Sequence, residues 1–208
     1  PVNPACVARA MSQVMRAEPS LRFLPLSDGK QPLFMWLTIP FLKIISDPLL
    51  AGRILSGLAG LGTVLGVGVG SYLIFKNARL ALVASVLWAV LPYSVFFERM
   101  ALVDSQLTLF LVWAFNLMAL SIAKCRLDFS MLSGFALGFA YLTKSPALFF
   151  FYLLPLLTFL IDKRSMTPGR IIKTVGLFLV TFTIALGMYN ILRLGPQFHQ
   201  IALRNSDY

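Results

Sequence analysis

The sequence predicts an all-α, polytopic transmembrane helical bundle, and three observations carry that reading. Hydrophobic residues make up 58% of the 208 positions and charged ones only 12%, whereas soluble domains use about 45–50% apolar residues. Apolar runs recur that match the roughly 20 helical residues needed to cross hydrocarbon. The short connections between those runs carry Lys and Arg alternately, as loops on one side of a membrane do. Mean hydropathy is +0.81. This composition excludes a disordered chain, a collagen-like repeat and a coiled coil, which need polar, Gly-periodic or heptad-charged sequence.

Taken in order, residues 5–17 place Val7, Ala10, Met11 and Val14 at helical spacing with Arg9 and Arg16 off the stripe. That predicts a helix along the membrane surface, with packing on a further soluble region as the alternative. Residues 33–45 are too short for a crossing and contain Pro40 and Lys43 behind Pro32, which fits an interfacial or re-entrant helix. Runs at 50–75, 80–97 and 102–123 each predict a span. The run 129–161 is too long for one crossing and is interrupted by Lys144, Ser145 and Pro146. It therefore predicts two short helices meeting at a polar turn. Residues 171–192 complete about six spans. Gly57, Gly60, Gly62, Gly66, Gly68 and Gly70 crowd one of them, a density that permits close helix contact.

Lys76 and Arg79, then Lys124 and Arg126, then Lys163, Arg164, Arg170 and Lys173 fill three loops on one side, which assigns these loops to the cytoplasm. The chain thus divides into an outer-face segment at 1–49, a bundle at 50–192 and an outer-face tail at 193–208. A net charge of +10, from 18 Lys and Arg against 8 Asp and Glu, fits such loops and lipid phosphates. No basic stripe interleaves with aromatics, so no nucleic-acid partner is expected. Cys6 and Cys125 are too few for a disulfide scaffold or a Cys-rich metal site, and His199 stands alone without zinc-ligand spacing. No cofactor is called for, although a divalent cation held by oxygen ligands stays open.

Charged residues at the span ends are the candidates for chemistry. Asp28, Gly29 and Lys30 precede Pro32 and Trp36. The position puts the Lys30 ammonium at headgroup depth, where it can neutralise a phosphate or simply snorkel beside the Trp anchor. Asp28 is first a turn residue, next to Gly29. Glu98, Arg99 and Asp104 lie where one span ends and another begins. There the positive helix end favours an ionised carboxylate at Asp104, with helix capping as the alternative role. Arg53 and Lys144 are ionisable groups at the edges of apolar runs. If all lie on one face, Lys30, Arg53, Arg99 and Lys144 surround Asp104 and could seat a phosphate-bearing, membrane-embedded substrate. Four independent snorkelling side chains would look the same in sequence.

Four stretches carry a resemblance: residues 28–33 with Trp36, residues 51–53 opening a span, residues 99–104, and residues 134–146. In their order and membrane side, they make the chain similar to GT-C membrane glycosyltransferases that use polyprenyl-phosphate sugars. The likeness is to the branch of aminoarabinose transferases and protein O-mannosyltransferases. The resemblance implies an integral protein of a bacterial or archaeal cell membrane, active on its non-cytoplasmic face. It implies a polyprenyl-phosphate sugar as donor and a lipid, glycan or protein as acceptor, among membrane lipids. Carried over residue by residue, Lys30 would bind the carrier phosphate. Asp104 would be the second acidic residue, orienting the acceptor or assisting the base. Arg53 and Lys144 would be accessory phosphate contacts, Arg99 would help if turned toward the cavity, and Glu98 would pair with Arg99. The family's first acid belongs just before the helix near Val7, where residues 1–6 contain no Asp or Glu. That departure implies a truncated or altered start or a non-catalytic relative, and the further spans usual in the family imply loss at the other end as well. A transporter or flippase of an anionic solute is the competing class, but it calls for mid-membrane charges and repeats that the sequence does not show.

Overall fold

A computed structural model describes residues 32–160 and 167–193. The surface helix expected at 5–17 and the candidates Asp28 and Lys30 lie outside these residues. So do Lys163, Arg164, His199 and the tail beyond Arg193.

Among the described residues every regular element is helical. α1 spans Leu33–Leu42 and buries Leu33, Phe34 and Thr38. Ten residues rise only about 15 Å, so α1 cannot cross a bilayer, as its length predicted. α2 spans Pro48–Phe75. Asp47 caps it by accepting a 2.9 Å bond from the Leu49 N–H, and Pro48 at the first position has no N–H to leave unpaired. α3 spans Ala78–Val90 and is capped by Asn77, which accepts from the Arg79 N–H at 2.9 Å. α4 spans Pro92–Arg99, bent 57° from α3.

That bend corrects the reading of 80–97 as one uninterrupted span. Pro92 cannot continue the ladder of N–H donors. The Ser94 hydroxyl instead donates to the exposed carbonyls of Trp88 and Leu91.

α5 spans Asp104–Lys124 and ends on Cys125 in the left-handed region at φ 49°. α6 spans Leu127–Thr143. The expected break follows at once: Lys144 is extended, and Ser145–Ala147 forms a 3-10 turn. After it come α7 (Leu148–Leu153) and a second 3-10 stretch, Leu154–Leu160. α8, spanning Pro168–Arg193, closes the described bundle.

Three helices are long and apolar enough to cross a membrane, and the bent α3–α4 pair makes a fourth if it counts as one span. The sequence expectation of about six is corrected to this number for the described residues. α6, with 17 residues, reaches only the lower limit of crossing length, and the broken stretch after Lys144 falls short of it.

The core lies where α5, α6, the second 3-10 stretch and α8 meet, around Met118, Ile122, Leu137, Leu154 and Ala185. α3, by contrast, has no buried residue. The glycines of α2 do what their density predicted. A Cβ added to Gly66 would lie 2.7 Å from Val112 Cγ1 of α5, and one on Gly62 2.6 Å from Leu109 Cδ1. Hydrogen shows less bulk than methyl here, so the two backbones approach closely enough for side chains of α5 to reach α2 carbonyls. Trp113 Nε1 donates to the Gly62 carbonyl at 3.0 Å and Asn116 Nδ2 to that of Gly66 at 2.7 Å. α6 is fastened similarly, with Ser133 donating to the Ala114 carbonyl at 2.8 Å and Ser130 to that of Leu177 at 2.6 Å.

Alternation of helix direction collects the α2–α3 turn, the α5–α6 turn and the start of α8 at one end. The start of α2, the end of α4, the start of α5 and the end of α6 gather at the other. The second end carries the candidate site.

Candidate functional site

The first helical residue of α5 is Asp104, and the residue that terminates α6 is Lys144. The Lys144 ammonium donates to Asp104 Oδ1 at 2.7 Å, joining positions forty residues apart. Asp104 does not act as a helix cap, because the cap position is Val103 and no side chain closes that end. It is the acidic residue of the first turn of α5, at the positive end of the helix dipole, and Lys144 supplies the opposite charge. Relative exposures of 44% for Lys144 and 26% for Asp104 leave the pair within reach of a ligand. The remaining bonds set the backbone around it. Thr108 donates to the Asp104 carbonyl at 2.9 Å, Ser105 to the Phe97 carbonyl at 3.2 Å, and Ser56 of α2 to the Leu102 carbonyl at 3.3 Å.

Asp104 also lines a small cleft together with Glu98, Ser105, Thr108, Trp88 and Tyr93. Its volume of about 20 Å³ admits a water molecule but no sugar. Glu98 is half-buried, lies against Gly60 of α2 and approaches the Trp88 indole. Glu98 and Asp104 are the two carboxylates among the residues that line the cleft. No group of three His, Cys, Asp or Glu side chains gathers among the described residues.

Lys144 is therefore the candidate cation that reaches Asp104. Arg53 and Arg99 are exposed, and neither forms an ion pair among the described residues. The pairing of Glu98 with Arg99 suggested by the sequence is not formed. Two features escaped sequence reading. Trp88 and Tyr93 enter the cleft only because Pro92 bends the chain between them. Gln106 is 1% exposed, and neither of its amide atoms has a hydrogen-bond partner. It lies two residues, or about 200°, around α5 from Asp104, so it serves another side of that helix.

Long apolar helices packed on an apolar core, with an acid–lysine pair where helix ends meet, define an integral membrane protein with a charged site at one end of its bundle. Residues 29–190 match the sequence profile of the dolichyl-phosphate-mannose-protein mannosyltransferase family, and the chain belongs to that family. It is a family of membrane glycosyltransferases of the GT-C type, which take sugar from a lipid-linked donor and pass it to an acceptor. No curated protein and no solved structure matches the chain.

Proposed function

We propose that this protein moves a sugar from a polyprenyl-phosphate carrier to a lipid, glycan or protein acceptor on the non-cytoplasmic face, and that Asp104 and Lys144 take part directly. The observation that carries the proposal is the 2.7 Å contact between Lys144 Nζ and Asp104 Oδ1. Transfer of a glycosyl group needs a base on the acceptor side of the anomeric carbon and cation support on the phosphate side. The acceptor oxygen bonds to the anomeric carbon while the carbon–oxygen bond to phosphate breaks. The bonding pair leaves on the phosphate oxygen, and the acceptor proton must go to a base. A carboxylate at the start of α5 suits the acceptor side, where it orients the hydroxyl or assists in taking its proton. The Lys144 ammonium suits the departing phosphate, whose charge it meets as that charge develops. Arg53, Arg99 and Lys30 are the further phosphate contacts of this reading, with Asp28 and Glu98 accessory to it.

The basic turns at the opposite end of the bundle support a non-cytoplasmic site. The mannosyl specificity of the family name supports a hexosyl-phosphate donor. The test is transfer from a labelled polyprenyl-phosphate sugar by the full-length protein in proteoliposomes. Asp104→Asn and Lys144→Ala are each expected to lower turnover at least about 100-fold, the lower range for a proton-transfer group, with membrane insertion intact. Wild-type turnover by both variants would remove these residues from the mechanism.

A further inference from the structure

At the end of the bundle away from Asp104, about 30 Å along α5, the geometry points to a second site, one that binds a phosphate mono- or diester between the α5–α6 turn and the start of α8. A recess of about 400 Å³ lies there, lined by Lys124 and Cys125 on one side and by Thr167, Gly169, Arg170 and Lys173 on the other. Three cations thus face one space. Among the described residues no carboxylate lines it, and Asp128, close to Cys125 in sequence, is engaged by Arg126 through a 2.6 Å contact.

Two further observations indicate that an anion is wanted. Arg170 Nε is shielded from solvent and has no hydrogen-bond partner among the described residues. A guanidinium N–H removed from water without an acceptor is costly, and that cost is offset if an anion drawn to the recess lets the Arg170 side chain turn toward it. The recess also receives the N-terminal end of α8, a 26-residue helix whose dipole favours negative charge. The backbone is open to approach there, because a Cβ added to Gly169 would meet nothing within 4 Å. Thr167 holds the first turn in place, its carbonyl accepting from the Arg170 and Ile171 N–H groups at 2.9 and 3.1 Å.

The shared chemistry is a phosphate oxygen cluster, and two sources can supply it. Exposed Leu127, Ile171 and Ile172 beside the recess would accommodate the acyl chains of an anionic phospholipid. Soluble phosphate could reach the same cations from water.

Native mass spectrometry of the full-length protein, released from phosphatidylglycerol or phosphatidylcholine nanodiscs, distinguishes them. Lys124 and Lys173 are both exposed, so Lys124→Ala and Lys173→Ala leave the packing alone. Each is expected to reduce retained phosphatidylglycerol roughly fivefold, the effect of one lysine near an anionic headgroup, while Lys76→Ala/Arg79→Ala at the same end leaves retention unchanged. In phosphatidylcholine, inorganic phosphate is compared with chloride at equal ionic strength by thermal melting. Stabilisation of the wild type but not of Lys124→Ala/Lys173→Ala, without lipid retention, would assign the site to soluble phosphate. Equal lipid retention in wild type and Lys124→Ala/Lys173→Ala, with no phosphate-specific shift, would overturn the proposal. So would an equal loss in Lys76→Ala/Arg79→Ala, which would reduce the effect to general surface charge.

Discussion

Exchanging the members of the Asp104–Lys144 pair separates what the contact does for stability from what it does for chemistry. In Asp104→Lys/Lys144→Asp the two charges remain adjacent, but the carboxylate leaves the start of α5. Both side chains are partly exposed, at 26% and 44%, so the pair is screened and contributes only about 0–1 kcal/mol to folding. A lysine facing the positive end of α5 adds a penalty of about 0.3–1 kcal/mol. The exchanged protein should therefore unfold at only slightly lower denaturant. Catalysis depends on which charge lies where. Putting an ammonium where a proton must be accepted, and a carboxylate where phosphate leaves, should reduce turnover about 10²- to 10⁴-fold. At 1.36 kcal/mol per decade, that is about 2.7–5.4 kcal/mol of barrier, several times the stability loss. Denaturant unfolding in bicelles, followed by tryptophan fluorescence, gives the first quantity, and initial rates of sugar transfer give the second. Turnover within about threefold of wild type, below half a decade on that scale, would show that the pair is a structural tie and refute the catalytic assignment.

Other consequences are open to measurement. Asn116→Ala removes the buried bond to the Gly66 carbonyl and should destabilise the bundle by about 0.6–1.7 kcal/mol, the range for interhelical bonds in membranes; an unchanged unfolding midpoint would argue against the α2–α5 seam. Cys125 is exposed at the basic end. In a Cys6→Ser background, a membrane-impermeant maleimide should label it from the cytoplasmic side alone, and labelling of intact cells would invert the proposed orientation. A hydrogen bond from Arg126 holds the Asp128 carboxyl below its ordinary value. Its contribution to folding is therefore present above about pH 3.9 and lost as pH falls through the lower folded value. An NMR titration should find its midpoint rising in Arg126→Gln, and an unmoved midpoint would discount that bond.

The sequence made the α6 break legible because Lys144 is costly inside an apolar run and Pro146 lacks an N–H, two signals at one place. Asp104 was legible as a helix-start acid for a similar reason. That they share a face was legible too, but not which of the candidate cations touches Asp104, since the contact depends on α5 and α6 running antiparallel with their ends in register across forty positions. Pro92 was present in the sequence too. It lies in so apolar a stretch that hydropathy joined the two sides, and the cleft between Trp88 and Tyr93 went unread with it. Arg53 and Arg99 show the limit of reasoning from sidedness. Residues can share one end of a bundle and still face outward, because rotation about each helix axis is fixed by packing partners such as Gly52 against Ala101.

The seams between α2, α5, α6 and α8 are fastened by side chains donating to main-chain carbonyls, at Gly62, Gly66, Ala114 and Leu177. A carbonyl oxygen is supplied by whatever residue occupies the position, so its owner can change without the bond being lost. The donor has no such freedom. Substitution should therefore be lopsided across the seams of α6: Ala114 and Leu177 can drift among residues of suitable size, whereas Ser130 and Ser133, like Trp113 and Asn116 at the glycine seam, are held to side chains that carry a proton to give. A bundle assembled this way can vary its lipid-facing surface extensively while a small set of polar side chains preserves the alignment of the helix ends that bring Asp104 to Lys144.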